Sequence, residues 1–142
     1  MANPVALFLA LILGVWLVSA GLSQTSYLAP IESKSPSLGL YQDAKMSMPV
    51  QAIEWGELIP GGSANSTIYV RNIGGVPLEL RLRTYNWLPV NAPDFITITW
   101  DREGLVLQPM QFTVARLTMR VGLDITIIKK FSVDLSVDGY TV

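Results

Sequence analysis

The chain contains no cysteine and no histidine. The first absence removes disulfides, thiolate nucleophiles and thiolate metal sites. The second removes the commonest general base and the commonest imidazole ligand. Charge is scarce as well: Asp, Glu, Lys and Arg make up 15% of the residues, against a usual share of about a quarter. The 10 basic and 11 acidic residues nearly cancel, so there is neither the basic footprint of a nucleic-acid binder nor a charged tail. The 142 residues suffice for one ordinary domain, which must be held by its apolar core alone.

Apolar residues are plentiful, at half of the chain. Part of the excess lies in residues 4–22, PVALFLALILGVWLVSAGL, a run without charge. Its length is close to the ~20 residues that span a bilayer as a helix. Two readings stand. Val18-Ser19-Ala20 followed by Gly21 is a small-residue pattern suited to cleavage of a signal peptide after Ala20. The run is also longer than the ~7–15 apolar residues of a signal core, which favours a retained anchor. Lys34 is the only basic residue in the first 40, so the flanks add little orientation signal. A buried helix of a soluble core is the weaker alternative, because such helices rarely lack polar residues over this length. Either main reading puts the rest of the chain outside the cytoplasm, anchored by a single pass in the cell membrane or secreted.

Residues 23–43, SQTSYLAPIESKSPSLGLYQD, change character abruptly. Serines, prolines and single apolar residues replace the continuous run, and Ala29-Pro30 and Ser35-Pro36 disfavour helix. The stretch is expected to be a linker between the apolar run of residues 1–22 and a domain over residues 44–142. The sharper alternative is that residues 27–31 or 38–41 pair with a sheet edge.

From Met46 onward the pattern is that of strands. Leu78, Leu80 and Leu82 alternate with Glu79, Arg81 and Arg83, one face for a core and one for water. Ala115, Leu117, Met119 and Val121 share a face within residues 112–121. Phe131, Val133, Leu135 and Val137 share another, with Ser132, Asp134 and Ser136 expected outward. Further short strands are expected at residues 49–55, 66–71, 95–100 and 105–107. Ile59-Pro60-Gly61-Gly62 and Asn72-Ile73-Gly74-Gly75 are turns, and residues 86–94 a loop with two prolines. Seven short strands with frequent turn signals and no helical period predict an all-β antiparallel sandwich, with a closed barrel as runner-up.

The order W-G-x-L-x-P-G at residues 55–61, S-T-I-Y-V-R-N-x-G at 66–74, L-x-L-R at 78–81 and L-x-P-x-x-F-T-V at 107–114 resembles the immunoglobulin-like sandwich modules of prokaryotic, especially archaeal, cell-surface proteins. The resemblance covers residues 46–142. It implies an immunoglobulin-like fold of about seven strands and a role as spacer, adhesion unit or appendage subunit. One apolar segment followed by a small sandwich is also similar to accessory stator proteins of the archaeal swimming filament and to archaeal surface-fibre subunits. The cysteine pair of antibody domains is missing.

Few residues invite a site. Asn65-Ser66-Thr67 is the only N-x-[ST] sequon, so Asn65 is the candidate for a glycan; chance is the plainer account. Trp55, Tyr85 and Trp87 are candidates for contact with a partner or a sugar, with Trp87 in its proline-containing loop the most exposed; burial in the core is the competing role. Asp94, Asp101 and Glu103 could converge on calcium, though their spacing fits no calcium loop. A carboxylate pair among Glu79, Asp94, Asp101, Glu103 and Asp134 is the one route to a hydrolase, and so small a domain leaves little room for a cleft. The expectation is therefore a protein without catalytic residues, metal or cofactor. It is expected to associate with other cell-surface or membrane proteins, or with itself, through unpaired sheet edges. Residues 50–54 and 131–142 are the candidate edges. A carbohydrate-binding module, with Tyr85 and Trp87 on one surface, is the alternative.

Overall fold

A computed structural model describes residues 16–17, 27–33, 37–56, 58–125 and 130–142. The expected membrane segment therefore lies outside the described residues except for Trp16 and Leu17. Ten strands run in chain order: β1 (Trp16–Leu17), β2 (Tyr27–Ser33), β3 (Leu38–Tyr41), β4 (Ala52–Gly56), β5 (Ser63–Asn72), β6 (Leu78–Leu88), β7 (Ile96–Trp100), β8 (Val106–Leu107), β9 (Phe112–Val121) and β10 (Lys130–Thr141). A 3-10 turn, Ala92–Asp94, precedes β7.

The strands form two sheets. The larger has the order β4-β2-β10-β6-β8, with β1 pairing β10 beside that path; the smaller has the order β3-β5-β9-β7. Their facing sides share one core. Ala29, Ile31, Ile53, Trp55, Leu78, Leu80, Leu107, Phe131, Val133, Leu135 and Val137 come from the larger sheet. Leu38, Leu40, Ile68, Val70, Ile96, Ala115, Leu117, Met119 and Val121 come from the smaller one. Burying each large apolar side chain contributes about 1.5–3 kcal/mol, and this double layer is what replaces disulfides as the source of stability. The arrangement is all-β and sandwich-like. Gly139 packs against side chains of both sheets: a Cβ there would stand 3.0 Å from Leu38 Cδ1 and 3.1 Å from Leu78 Cδ1.

Two features depart from the expected antiparallel seven strands. Residues 27–33 and 38–41 are strands within the sheets rather than a solvated spacer, which raises the number of strands. Further, β2 runs parallel to β10, with Ile31 opposite Leu135 and Ser33 opposite Val137, so the larger sheet is mixed. Pro30 fits this position for a local reason. The Ile31 amide bonds the carbonyl of Gln51 at 3.2 Å, so alternation turns the amide side of residue 30 away from β4. Pairing with β10 begins only at Ile31, so no ladder bond is lost at the proline.

The glycine-rich corners of residues 55–75 also have physical causes. In the first, the Gly62 amide bonds the Ile59 carbonyl at 2.9 Å, and Gly61 has φ +75, open to glycine at no cost. A Cβ on Gly61 would lie 2.6 Å from Leu123 Cδ2, so the β9–β10 loop also rests on this corner. In the second, Asn72 is fully buried. Its Nδ2 donates to the carbonyls of Val76 at 2.7 Å and Leu107 at 2.9 Å, while its Oδ1 accepts from the Gly74 amide at 2.9 Å. One side chain thus holds the β5–β6 turn closed and ties it to β8.

Candidate functional site

The side chains singled out in the sequence are dispersed. Trp55 is buried in the core from β4. Tyr85 and Trp87 are two apart on β6, a spacing that would normally place them on one face. They point oppositely, because the register between β6 and β10 shifts between Ser132 and Asp134 and Asn86 takes φ +55. Trp87 is half-buried against the core, stacked on Phe131 with ring centroids 6.3 Å apart, and its Nε1 donates to Thr84 Oγ1 at 3.1 Å. Trp87 therefore belongs to a strand and not to the exposed loop. Tyr85 lies on the outer face, where its hydroxyl donates to Glu32 Oε1 at 3.0 Å. The two rings do not form a common platform.

The carboxylates are spread over several elements, with Asp101 and Glu103 in the turn after β7 and both Glu79 and Glu103 beside Arg81. Asp94 and Asp101 flank β7 at its opposite ends. Asp101 Oδ1 accepts from the Arg116 amide at 2.9 Å. Glu103 Oε1 accepts from the Leu82 amide at 2.9 Å and from Trp100 Nε1 at 2.7 Å. Asp134 Oδ2 accepts from Asn86 Nδ2 at 2.9 Å. Asp101, Glu103 and Asp134 thus fasten a turn or a bulge. Among the described residues no group of three or more Asp or Glu is placed to hold a metal ion.

Charge collects instead on the outer face of the larger sheet. Arg83 Nε lies 3.1 Å from Asp138 Oδ2, and the guanidinium stands over the Tyr85 ring at 6.0 Å. Arg81 bonds Glu79 at 2.7 Å and stands over Tyr140 at 5.8 Å. The hydrogen bond from Arg81 to Glu79 raises the guanidinium pKa above its ordinary value, with the acid's charge adding to it. Ser136, expected to face solvent, is buried on this face, and so is Asp138. The Arg83 partnership is what makes the buried Asp138 carboxylate tolerable.

The sheet edges differ in how they are closed. β10, expected at an edge, is flanked by β2 and β6, while β4 is a true edge as residues 50–54 suggested. β4 presents exposed Glu54 in mid-strand. β3 is covered by Pro49 and Val50, the latter donating to the Leu40 carbonyl at 3.0 Å. β8 has two residues, and the turn after β7 closes β6 as far as Leu82. Among the described residues β7 has no such guard. Its sequence is ITITW, without charge, proline or bulge. The Gly122 amide bonds the Phe95 carbonyl at 2.7 Å and the Asp101 amide bonds the Arg116 carbonyl at 3.3 Å. By alternation Thr97 and Thr99 also address β9. The amides and carbonyls of Ile96, Ile98 and Trp100 then point outward, with no backbone partner among the described residues.

Asn65 is exposed on β5, and its Oδ1 accepts from Thr118 Oγ1 at 2.8 Å. Asn65, Thr118 and Thr99 form one row across β5, β9 and β7. Fold and edges together define a two-sheet all-β domain in which, among the described residues, β7 is the edge without charge, proline, bulge or cover. No protein-family model matches the chain, and no curated protein does either.

Proposed function

We propose that this chain is a non-enzymatic structural and interaction module of the extracytoplasmic surface. In this reading it is an immunoglobulin-like sandwich held at, or exported through, a membrane by residues 4–22. It joins a copy of itself or another surface protein through β7. The observation that carries the proposal is the unguarded β7 edge. Native proteins close exposed edges with charge, proline, bulges or cover, and every other edge here has one of these or is very short. A strand left open, flat and uncharged is suited to strand addition, in which main-chain bonds supply affinity and alternate side chains supply choice.

Other observations support the same reading. Asp101, Glu103 and Asp134 each hold a local bond that fixes a turn or a bulge, which favours a structural over a hydrolytic role. The apolar, uncharged run of residues 4–22 supports attachment to a membrane. Among the described residues no helix is long and apolar enough to cross one. A spanning helix over that run and the strand at Trp16–Leu17 are alternative uses of the same residues.

Sedimentation velocity of the full chain in detergent or nanodiscs tests the proposal, with Thr97→Lys/Thr99→Lys beside the parent. Both threonines are exposed on the outer side of β7, and a lysine there guards an edge without entering the core. The expected result is a parent that self-associates, or binds a protein from its own envelope, and a variant that does neither at equal thermal stability. A parent that stays monomeric and binds nothing, or a variant that associates as the parent does, rules out the edge.

A further inference from the structure

We infer that the occupant of the β7 edge is β7 of a second copy of this chain, paired antiparallel about a two-fold axis through Ile98. The inference rests on the open-edge reading above and commits it to one partner and one register.

The strand is straight, for its register with β9 runs from Ile96 opposite Val121 to Trp100 opposite Leu117 without a shift. Its outward amides and carbonyls belong to Ile96, Ile98 and Trp100, since Phe95 and Asp101 bond towards β9. In an antiparallel pair, opposed residues that turn these groups to each other exchange two bonds. Centring the pair on Ile98 sets Ile98 opposite Ile98 of the copy, and Ile96 opposite Trp100 on both sides of the axis. Every outward group then has a partner. Centring on Thr97 leaves Trp100 of each copy opposite the 3-10 turn at Asp94, and centring on Thr99 leaves Ile96 opposite the turn at Arg102. Either slip loses part of the ladder.

The side chains agree with the central register. On the outer side Thr97 meets Thr99 of the copy, so two close threonine pairs line the seam and no charge lies in it. On the core side Ile96 is fully buried, but Ile98 and Trp100 are only half-buried although both pack against the core. The register covers Ile98 with its own copy and Trp100 with Ile96. Beyond the strand, the end that carries exposed Asp94 comes beside the end of the copy that carries Arg102. Asp101 and Glu103 at that end are already held, by the Arg116 amide and the Trp100 indole.

The other edges point to the same partner. Glu54 guards β4, residues 49–50 cover β3, and β8 has two residues. Among the described residues a second copy therefore offers β7 as its unguarded edge. Pairing of β7 with β7 is isologous and closes at two copies, joining the smaller sheets into one and leaving no open strand for a fibre.

The chain has no cysteine, so single thiols are clean. Full-length Thr97→Cys and a size-tagged full-length Thr99→Cys are mixed in detergent under reductant and then oxidised. Both positions are exposed, so the core is left alone. Directly opposed residues of this kind have Cα atoms about 4.5 Å apart, within reach of a disulfide, whereas like positions sit on diagonals of about 7–8 Å. The expected result is a mixed 97–99 disulfide that forms several-fold faster than either like pair. Sedimentation velocity of the parent and of Thr97→Lys/Thr99→Lys separates the failures. Self-association that the lysines abolish, without preference for the 97–99 disulfide, overturns the two-fold register and leaves the edge reading standing. A parent that stays monomeric but binds an envelope protein through β7 overturns the second copy alone. A parent that neither self-associates nor binds fails the edge reading and this inference with it.

Discussion

The Nδ2 of Asn72 donates to the carbonyl of Leu107 at 2.9 Å across 35 positions of sequence. That bond joins the corner after β5 to an edge strand of the opposite sheet. Asn72→Ala would leave the buried Leu107 carbonyl, the Val76 carbonyl and the Gly74 amide without their partner. It is expected to cost about 2–4 kcal/mol, read by urea denaturation. Asn72→Asp should cost a comparable amount, since a carboxylate cannot donate to either carbonyl. A change below about 0.5 kcal/mol for both would remove Asn72 from its role as clasp.

Asn86 sets which way Trp87 faces. A β-branched side chain at φ +55 is strained, so Asn86→Val should destabilise by about 1–3 kcal/mol. Asn86→Gly relieves the backbone and loses only the bond to Asp134, so it should stay within about 1 kcal/mol of the parent. Thermal melts of the pair check the order; Val equal to or better than Gly would contradict it.

Trp87→Ala is expected to act on stability. The half-buried indole and its stacking on Phe131 predict a loss of about 2–4 kcal/mol. A variant that melts like the parent but no longer binds a polysaccharide would instead restore the sugar-platform role.

Asp43 links acidity to the loop between β3 and β4. Its carboxyl accepts from the Ser47 hydroxyl first and from the Met48 amide next, and these bonds hold its pKa below the ordinary 3.8. A depressed pKa means that the carboxylate's contribution is fully present above 3.8 and is lost as pH falls through the lower folded value. Protection of the Ser47 and Met48 amides, taken relative to their intrinsic exchange rate at each pH, should therefore fall only in acid below that point. Asp43→Asn should flatten the pH dependence; exchange that ignores both pH and the substitution would count against the linkage.

Glycosylation of Asn65 predicts extra mass on its peptide from the native source, abolished by Thr67→Ala. An unmodified Asn65 in protein purified from its native source would remove the glycan from the description.

Much of the fold was legible because burial follows alternation. β9 lies at residues 112–121 as expected, and Leu78 and Leu80 face the core as their period implies. The first two long strands were hidden by composition: Pro30 and the serines around it resemble a spacer, and only the register with β10 shows that the missing amide has no ladder bond to make. The central place of β10 was not visible, because order in sequence does not report order in a sheet. Trp87 was misplaced because a single bulge residue, Asn86, reverses a period of two. The open edge at β7 could be suspected from ITITW but not located, since it depends on which neighbours the other strands find.

The place of β10 has a consequence in time. Ile31 must wait for Leu135, made about a hundred residues later, before β2 can acquire its parallel neighbour. Until then β2 and β6 border an empty slot in the larger sheet, and both are open to wrong partners. A chain emerging through a membrane N-terminus first would thus stay unfinished for nearly its whole passage. Its final strand would slide into that slot like a bolt, and assembly through β7 would compete with folding only before the bolt is home.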